Sequence, residues 1–132
     1  MTTTRGAVRL GAVALGAVLL YVLGVVAPYV ANGLHHLPLA ELASGSHDPK
    51  DLWPATIPHL GGWLRLAAVL SIALAPLTLV FVLVACGFSV GRTLRPAPRT
   101  ALAYAAVAVA CVLVLAWFLG PTSQALIGWQ MD

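Results

Sequence analysis

The residues of this sequence whose types could do chemistry are four histidines, all of which lie between the first two long apolar runs. They are His35, His36, His47 and His59. Neutral imidazoles that converge on one point suit copper or zinc. The spacing matches no known ligand motif, however, and adjacent His35 and His36 are expected to point in different directions on a helix or a strand. We therefore keep a copper or zinc site as an alternative, and expect interfacial histidines that bond backbone or lipid headgroups.

The two cysteines, Cys86 and Cys111, both lie inside apolar runs. A free cysteine in such surroundings behaves as a small hydrophobic side chain, so we expect packing rather than a disulfide or a metal site. No pairing of a nucleophile with a base stands out along the chain. The sequence therefore predicts no catalytic residues and no cofactor, and we do not expect an enzyme.

The composition is that of a membrane protein. Of the 132 residues, 61% are hydrophobic and 8% are charged, and the mean hydropathy is +0.95. About a quarter of an ordinary soluble domain is charged, so this chain has too few charges to cover a surface in water. We expect one membrane domain over residues 1–132, with the lipid bilayer as a partner and no nucleic acid. The abundance of Ala, Gly, Val, Pro and Arg beside a single Lys is typical of a bacterial source.

Three apolar runs predict membrane-spanning helices at about residues 10–31, 64–90 and 100–119. The first would be about 33 Å long as a helix, against a hydrocarbon core of about 30 Å, and is too long for the core of a signal peptide. We interpret it as an uncleaved helix. In the second run, Arg65 is expected to reach the headgroups and Pro76 predicts a kink. The predicted fold is an all-α membrane protein with three transmembrane helices.

The distribution of charge predicts the orientation in the cell membrane. Basic residues near the spans lie before the first span and in the connection at residues 91–99, and they are Arg5, Arg9, Arg92, Arg95 and Arg99. Short arginine-rich segments stay in the cytoplasm. We therefore expect a cytoplasmic N-terminus, a cytoplasmic hinge at 91–99, an outer loop at 33–60 and an extracytoplasmic C-terminus.

The outer loop is expected to be ordered rather than flexible. Pro38 predicts the start of one short helix that ends near Gly45, and Asp48 with Pro49 predicts a second that ends at Pro54. Four apolar side chains are expected to dock on the membrane surface or on a neighbouring subunit, and they are Leu37, Leu42, Leu52 and Trp53. The segment 122–132 is expected to be a short tail with Trp129 at the lipid interface.

Small residues recur at helix-packing spacing inside the spans. The pairs are Ala12 with Gly16, Gly87 with Gly91, Ala101 with Ala105, and Ala106 with Ala110. Small residues four apart let two helix backbones approach closely. They have two interpretations, which are packing within the three-helix unit and recognition of a partner helix.

The spans contain no Asp, Glu, His or Lys. Proton pumps and ion-coupled carriers need ionisable groups at depth, so the sequence argues against both. We expect a small multi-pass accessory or structural subunit of a larger bacterial membrane complex, such as a respiratory or transport assembly. It would contact other integral membrane subunits through helix packing and its outer loop. The alternatives are an extracytoplasmic copper or zinc binding protein that uses the loop histidines, and a holin-like oligomeric pore former.

Overall fold

The computed structural model describes residues 4–44, 49 and 52–131, and all regular structure in these ranges is helical. Its α-helices there are α1 (Arg5–Ala31), α2 (Leu39–Ala43), α3 (Gly61–Thr93), α4 (Pro98–Phe118) and α5 (Pro121–Met131), and a 3₁₀ turn covers Leu34–His36. The helices α1, α3 and α4 are long and apolar enough to cross a membrane. The predicted all-α fold with three such helices is therefore confirmed.

The helix α3 lies at the centre, because it packs along both α1 and α4 while those two contact each other less. The helices α1 and α4 run in parallel. Near their starts, the hydroxyl of Tyr104 lies over Gly6, and further along, Tyr21 packs edge-on against Phe118 at the end of α4, with ring centroids 4.7 Å apart. The connection from α3 to α4 therefore lies at the same end of the bundle as the start of α1.

The two ends of the bundle differ in the length and structure of the segments that lie there. We call the first the arginine end, and it consists of residues 5–9 and 92–99. We call the second the loop end, and it consists of residues 32–44, 49 and 52–60 together with α5. The helix α2 of the loop packs directly on α5. The chain thus places a short turn at one end and a folded layer at the other.

The most irregular part of the membrane-length helices is in α1. Residues Val22–Val26 form a π-helical segment, in which the N–H of Ala27 bonds to the carbonyl of Val22, five residues back. The cause is Pro28, which has no N–H to donate and whose ring would clash with the carbonyl four residues earlier. Helix α3 also contains a proline, Pro76, and is α-helical from Gly61 to Thr93. The kink expected at Pro76 stays a prediction.

Two element boundaries differ from the sequence prediction because a proline can begin a helix. Pro98 occupies the first turn of α4, so the connection between α3 and α4 is residues 94–97 rather than 91–99. Pro121 likewise begins α5, and residues 121–131 form a helix rather than a tail. Proline suits this position because the N–H it lacks would have no partner within the helix.

Candidate functional site

The helix α3 carries a face of small residues that nothing in the described part of the chain covers. Gly87 and Gly91 are both exposed, and a Cβ built on either would meet no atom within 4 Å. They form the floor of an open groove bordered by Val84, Phe88 and Arg92. We call this the Gly87–Gly91 face. The structure places both glycines where a second helix could approach, and neither makes a close contact inside the bundle.

Most of the other predicted packing residues also face outward. A Cβ on Gly16 would meet no described atom within 4 Å, and three of the alanines are exposed, namely Ala12, Ala106 and Ala110. Of these, Ala110 borders an apolar groove between α1 and α4. Only the pair of Ala101 with Ala105 has a buried member, since Ala101 is 2% exposed.

Close approach inside the bundle depends on glycines that the sequence did not single out. Gly24 lies where α1 crosses α3, and a Cβ on it would lie 3.0 Å from the Cα of Ala68. Gly61 lies against the carbonyl of Ala55, where the loop turns into α3. Each contact joins residues far apart along the chain or across a turn, so no i to i+4 spacing signals it. Which glycines pack internally depends on the tertiary arrangement.

His35 and His36 lie side by side. They occupy the 3₁₀ turn after α1, and their ring centroids are 3.9 Å apart with the planes tilted by 41°. The expectation that they point in different directions is therefore wrong. The tight turn, which begins at Gly33 with φ of 73°, brings the adjacent side chains together. Tyr29 packs edge-on against His35, with ring centroids 6.3 Å apart.

The other two histidines do not complete a site in the part of the chain that the structure describes. His59 has φ of 65° in the turn before α3, a left-handed conformation in which His is among the enriched residues. His47 lies outside the described residues. Within residues 4–44, 49 and 52–131, no group of three or more His, Cys, Asp and Glu side chains is close enough to hold a metal ion. Cys86 and Cys111 are buried free thiols.

The loop residues expected to dock on a neighbour are mostly packed inside the protein. Leu42 is 1% exposed, and Leu37 and Leu52 are partly buried against the same core. The cause is α5, which supplies an apolar surface for α2 where the sequence predicted only a tail. Trp53 is the exception, because 48% of it remains exposed.

A single asparagine joins the end of α1 to the loop. The Nδ2 of Asn32 donates to the carbonyl of Pro28 at 2.7 Å and to the carbonyl of Trp53 at 2.8 Å. The amide group has two N–H donors, and each has an acceptor here. The side chain therefore fixes residue 53 over the end of the first membrane-length helix.

The helix α5 buries one side against the bundle. Ser123, Leu126 and Trp129 are buried, so Trp129 is a core side chain rather than a lipid-facing anchor. Its ring packs edge-on against Tyr29 with centroids 6.3 Å apart. The hydroxyls of Tyr21 and Ser123 lie 3.4 Å apart, in one hydrogen bond between α1 and α5.

Comparison of the chain with protein-family models, curated proteins and solved structures finds no match. The surfaces and contacts described above are therefore the basis for a functional proposal.

Proposed function

We propose that the protein is a small accessory subunit of a larger membrane assembly, and that its Gly87–Gly91 face docks on a transmembrane helix of another integral membrane subunit. The outward position of these two glycines carries the proposal. Lipid tails are as apolar as leucine side chains, so helices associate in a bilayer through close van der Waals packing. Two exposed glycines that no described residue contacts allow the backbone of a partner helix to pack closely against them.

The side chains around the groove favour a transmembrane helix as the element that binds there. Phe88 is exposed beside the two glycines, and Val84 borders the groove one turn away. A ridge of large side chains next to a groove of small ones fits the packing of one helix against another. The outward Ala12 and Gly16 on α1 offer a second small-residue surface.

The loop end extends the proposal beyond the membrane. The backbone carbonyl of Trp53 accepts a hydrogen bond from Asn32, which ties this exposed tryptophan to the end of α1. Tryptophan is enriched among the residues that carry binding energy at protein interfaces. We therefore infer that Trp53 contacts the extracytoplasmic part of the partner, with the arginine end in the cytoplasm.

The test is recovery of partners with the tagged full-length protein from its native membrane. Gly87→Leu with Gly91→Leu should reduce recovery of another integral membrane protein by about tenfold or more, since leucine is favourable in the bilayer but keeps helices apart. The matched control is Ala73→Leu with Ala116→Leu, which adds leucines at two exposed alanines outside the groove. The control should recover partners as the parent does.

Two outcomes would contradict the proposal. One is equal recovery by the Gly87 and Gly91 double variant and the control. The other is that the only partner recovered is a second, differently tagged copy of this chain, which would favour the oligomeric pore former. Membrane content of each variant, measured in the same preparation, separates lost binding from lost insertion.

A further inference from the structure

A small cavity lies at the loop end, where α1, α3 and α5 meet. Arg65 of α3 and Gln130 of α5 both line it, and Trp53 and Pro54 of the loop line it from another side. The Nε of Arg65 and the Oε1 of Gln130 are buried, and neither has a hydrogen-bond partner within the described residues. Gln130 as a whole is only 4% exposed. Two side chains that line one cavity thus each carry one buried atom without a described partner.

Such a pair needs a ligand that serves both atoms. A buried polar atom without a partner loses its hydrogen bonds to water and gains nothing in return, so native structures rarely leave one. The Nε–H of Arg65 can only donate, and the Oε1 of Gln130 can only accept. The ligand must therefore accept a hydrogen bond from α3 and donate one to α5.

The size of the cavity and the charge of the groups that line it limit which ligands can bind there. The cavity volume is about 10 Å³, at the lower limit of the roughly 10–15 Å³ that one water molecule needs. A cation would be repelled by the guanidinium group. An anion would meet the lone pairs of Oε1 and the apolar walls that Gly24 and Ala68 contribute. A neutral molecule that both donates and accepts fits each condition.

We propose that this cavity binds a single water molecule, which accepts from the Nε of Arg65 and donates to the Oε1 of Gln130. The water connects α3 to α5 at the point where the loop covers both. It also explains why Arg65, which the sequence expects to reach the headgroups, has its Nε held inside the protein. This inference does not depend on the proposed partner of α3.

The first test is a crystal structure of the full-length protein in a lipid phase at a resolution that shows ordered water. We expect one water within about 2.7–3.2 Å of both the Nε of Arg65 and the Oε1 of Gln130. A direct hydrogen bond between Arg65 and Gln130, an apolar side chain in the cavity, or an ion there would each overturn the proposal.

The second test is a double-mutant cycle on thermal unfolding of the full-length protein in lipid nanodiscs. Arg65→Met and Gln130→Leu should each lower the unfolding midpoint by about 3–6 °C, since each leaves the buried water without one of its two partners. The double variant should lose no more than either single variant. The matched control replaces the exposed Gln124 of the same helix, so Arg65→Met and Gln124→Leu should be additive. Additive losses for Arg65→Met with Gln130→Leu would overturn the link.

Discussion

The two ends of this bundle achieve order in different ways. At the arginine end, residues 94–97 join two helices directly, and the flanking arginines are exposed. At the loop end, α2 and α5 pack on each other, Asn32 ties residue 53 to α1, and Trp129 is buried. The first end follows from local sequence, because a charge-rich turn between apolar helices needs no tertiary support. The second depends on contacts between segments far apart in the chain.

This difference between the two ends predicts which part of the protein acts in assembly and which in folding. The Gly87–Gly91 face lies in the half of α3 nearer the arginine end, where nothing in the described chain covers it. The loop end covers its own apolar side chains with α5. We therefore expect substitutions at the loop end to affect folding, and substitutions on the Gly87–Gly91 face to affect assembly.

The largest expected effect is a difference in accessibility between the two ends in intact cells. With Cys86 and Cys111 changed to Ala, a cysteine at the exposed Thr56 should react with a membrane-impermeant thiol reagent. A cysteine at the exposed Leu94 should react only after permeabilisation, because arginine-rich turns stay in the cytoplasm. The reverse pattern would place the loop end in the cytoplasm, and labelling of both sites in intact cells would contradict any fixed orientation.

The next largest effect separates buried from exposed tryptophans. Trp129→Ala should destabilise the protein by about 3–5 kcal/mol, the usual cost of removing a large aromatic ring from a core. The matched control is Trp63→Ala, since Trp63 is 71% exposed and Trp129 only 1%. The control should change stability by about 0.5 kcal/mol or less. Unfolding midpoints in the same lipid nanodiscs are the measurement, and equal losses would show that α5 does not pack as described.

The three membrane-length helices could be predicted because each is a long run almost free of charge. The helix α5 could also have been found, since its buried residues follow helical spacing. They are Ser123, Leu126, Trp129 and Gln130. Two of the four are polar, so a search for apolar residues alone overlooks the stripe. Proline at the start of α4 and α5 accounts for the shifted boundaries.

Which small residues face outward could not be predicted from the sequence. A soluble helix shows its buried side by apolar residues at every third or fourth position among polar ones, but a membrane helix is apolar all round. Gly24 and Gly87 therefore look alike in the sequence, although one lies against Ala68 and the other meets no atom within 4 Å. Only the arrangement of the helices distinguishes them. The same holds for Arg65 and Gln130, which are far apart in the chain and line one cavity.

The smallest expected effect concerns the histidines that lie between α1 and α3 in the sequence. Changing His35 and His47 to Gln and His59 to Asn should leave the copper and zinc content of the purified protein unchanged. Asparagine is chosen at position 59 because it tolerates the left-handed backbone there, so the change should cost little stability. His36 is kept, so that its ring remains as the control for local packing in the 3₁₀ turn.

Losing ligands typically abolishes stoichiometric metal binding, so a true site would respond strongly. Elemental analysis of parent and triple variant decides the matter. Near one copper or zinc per chain in the parent, lost in the variant, would show that the loop end is a metal site in addition to a packed layer.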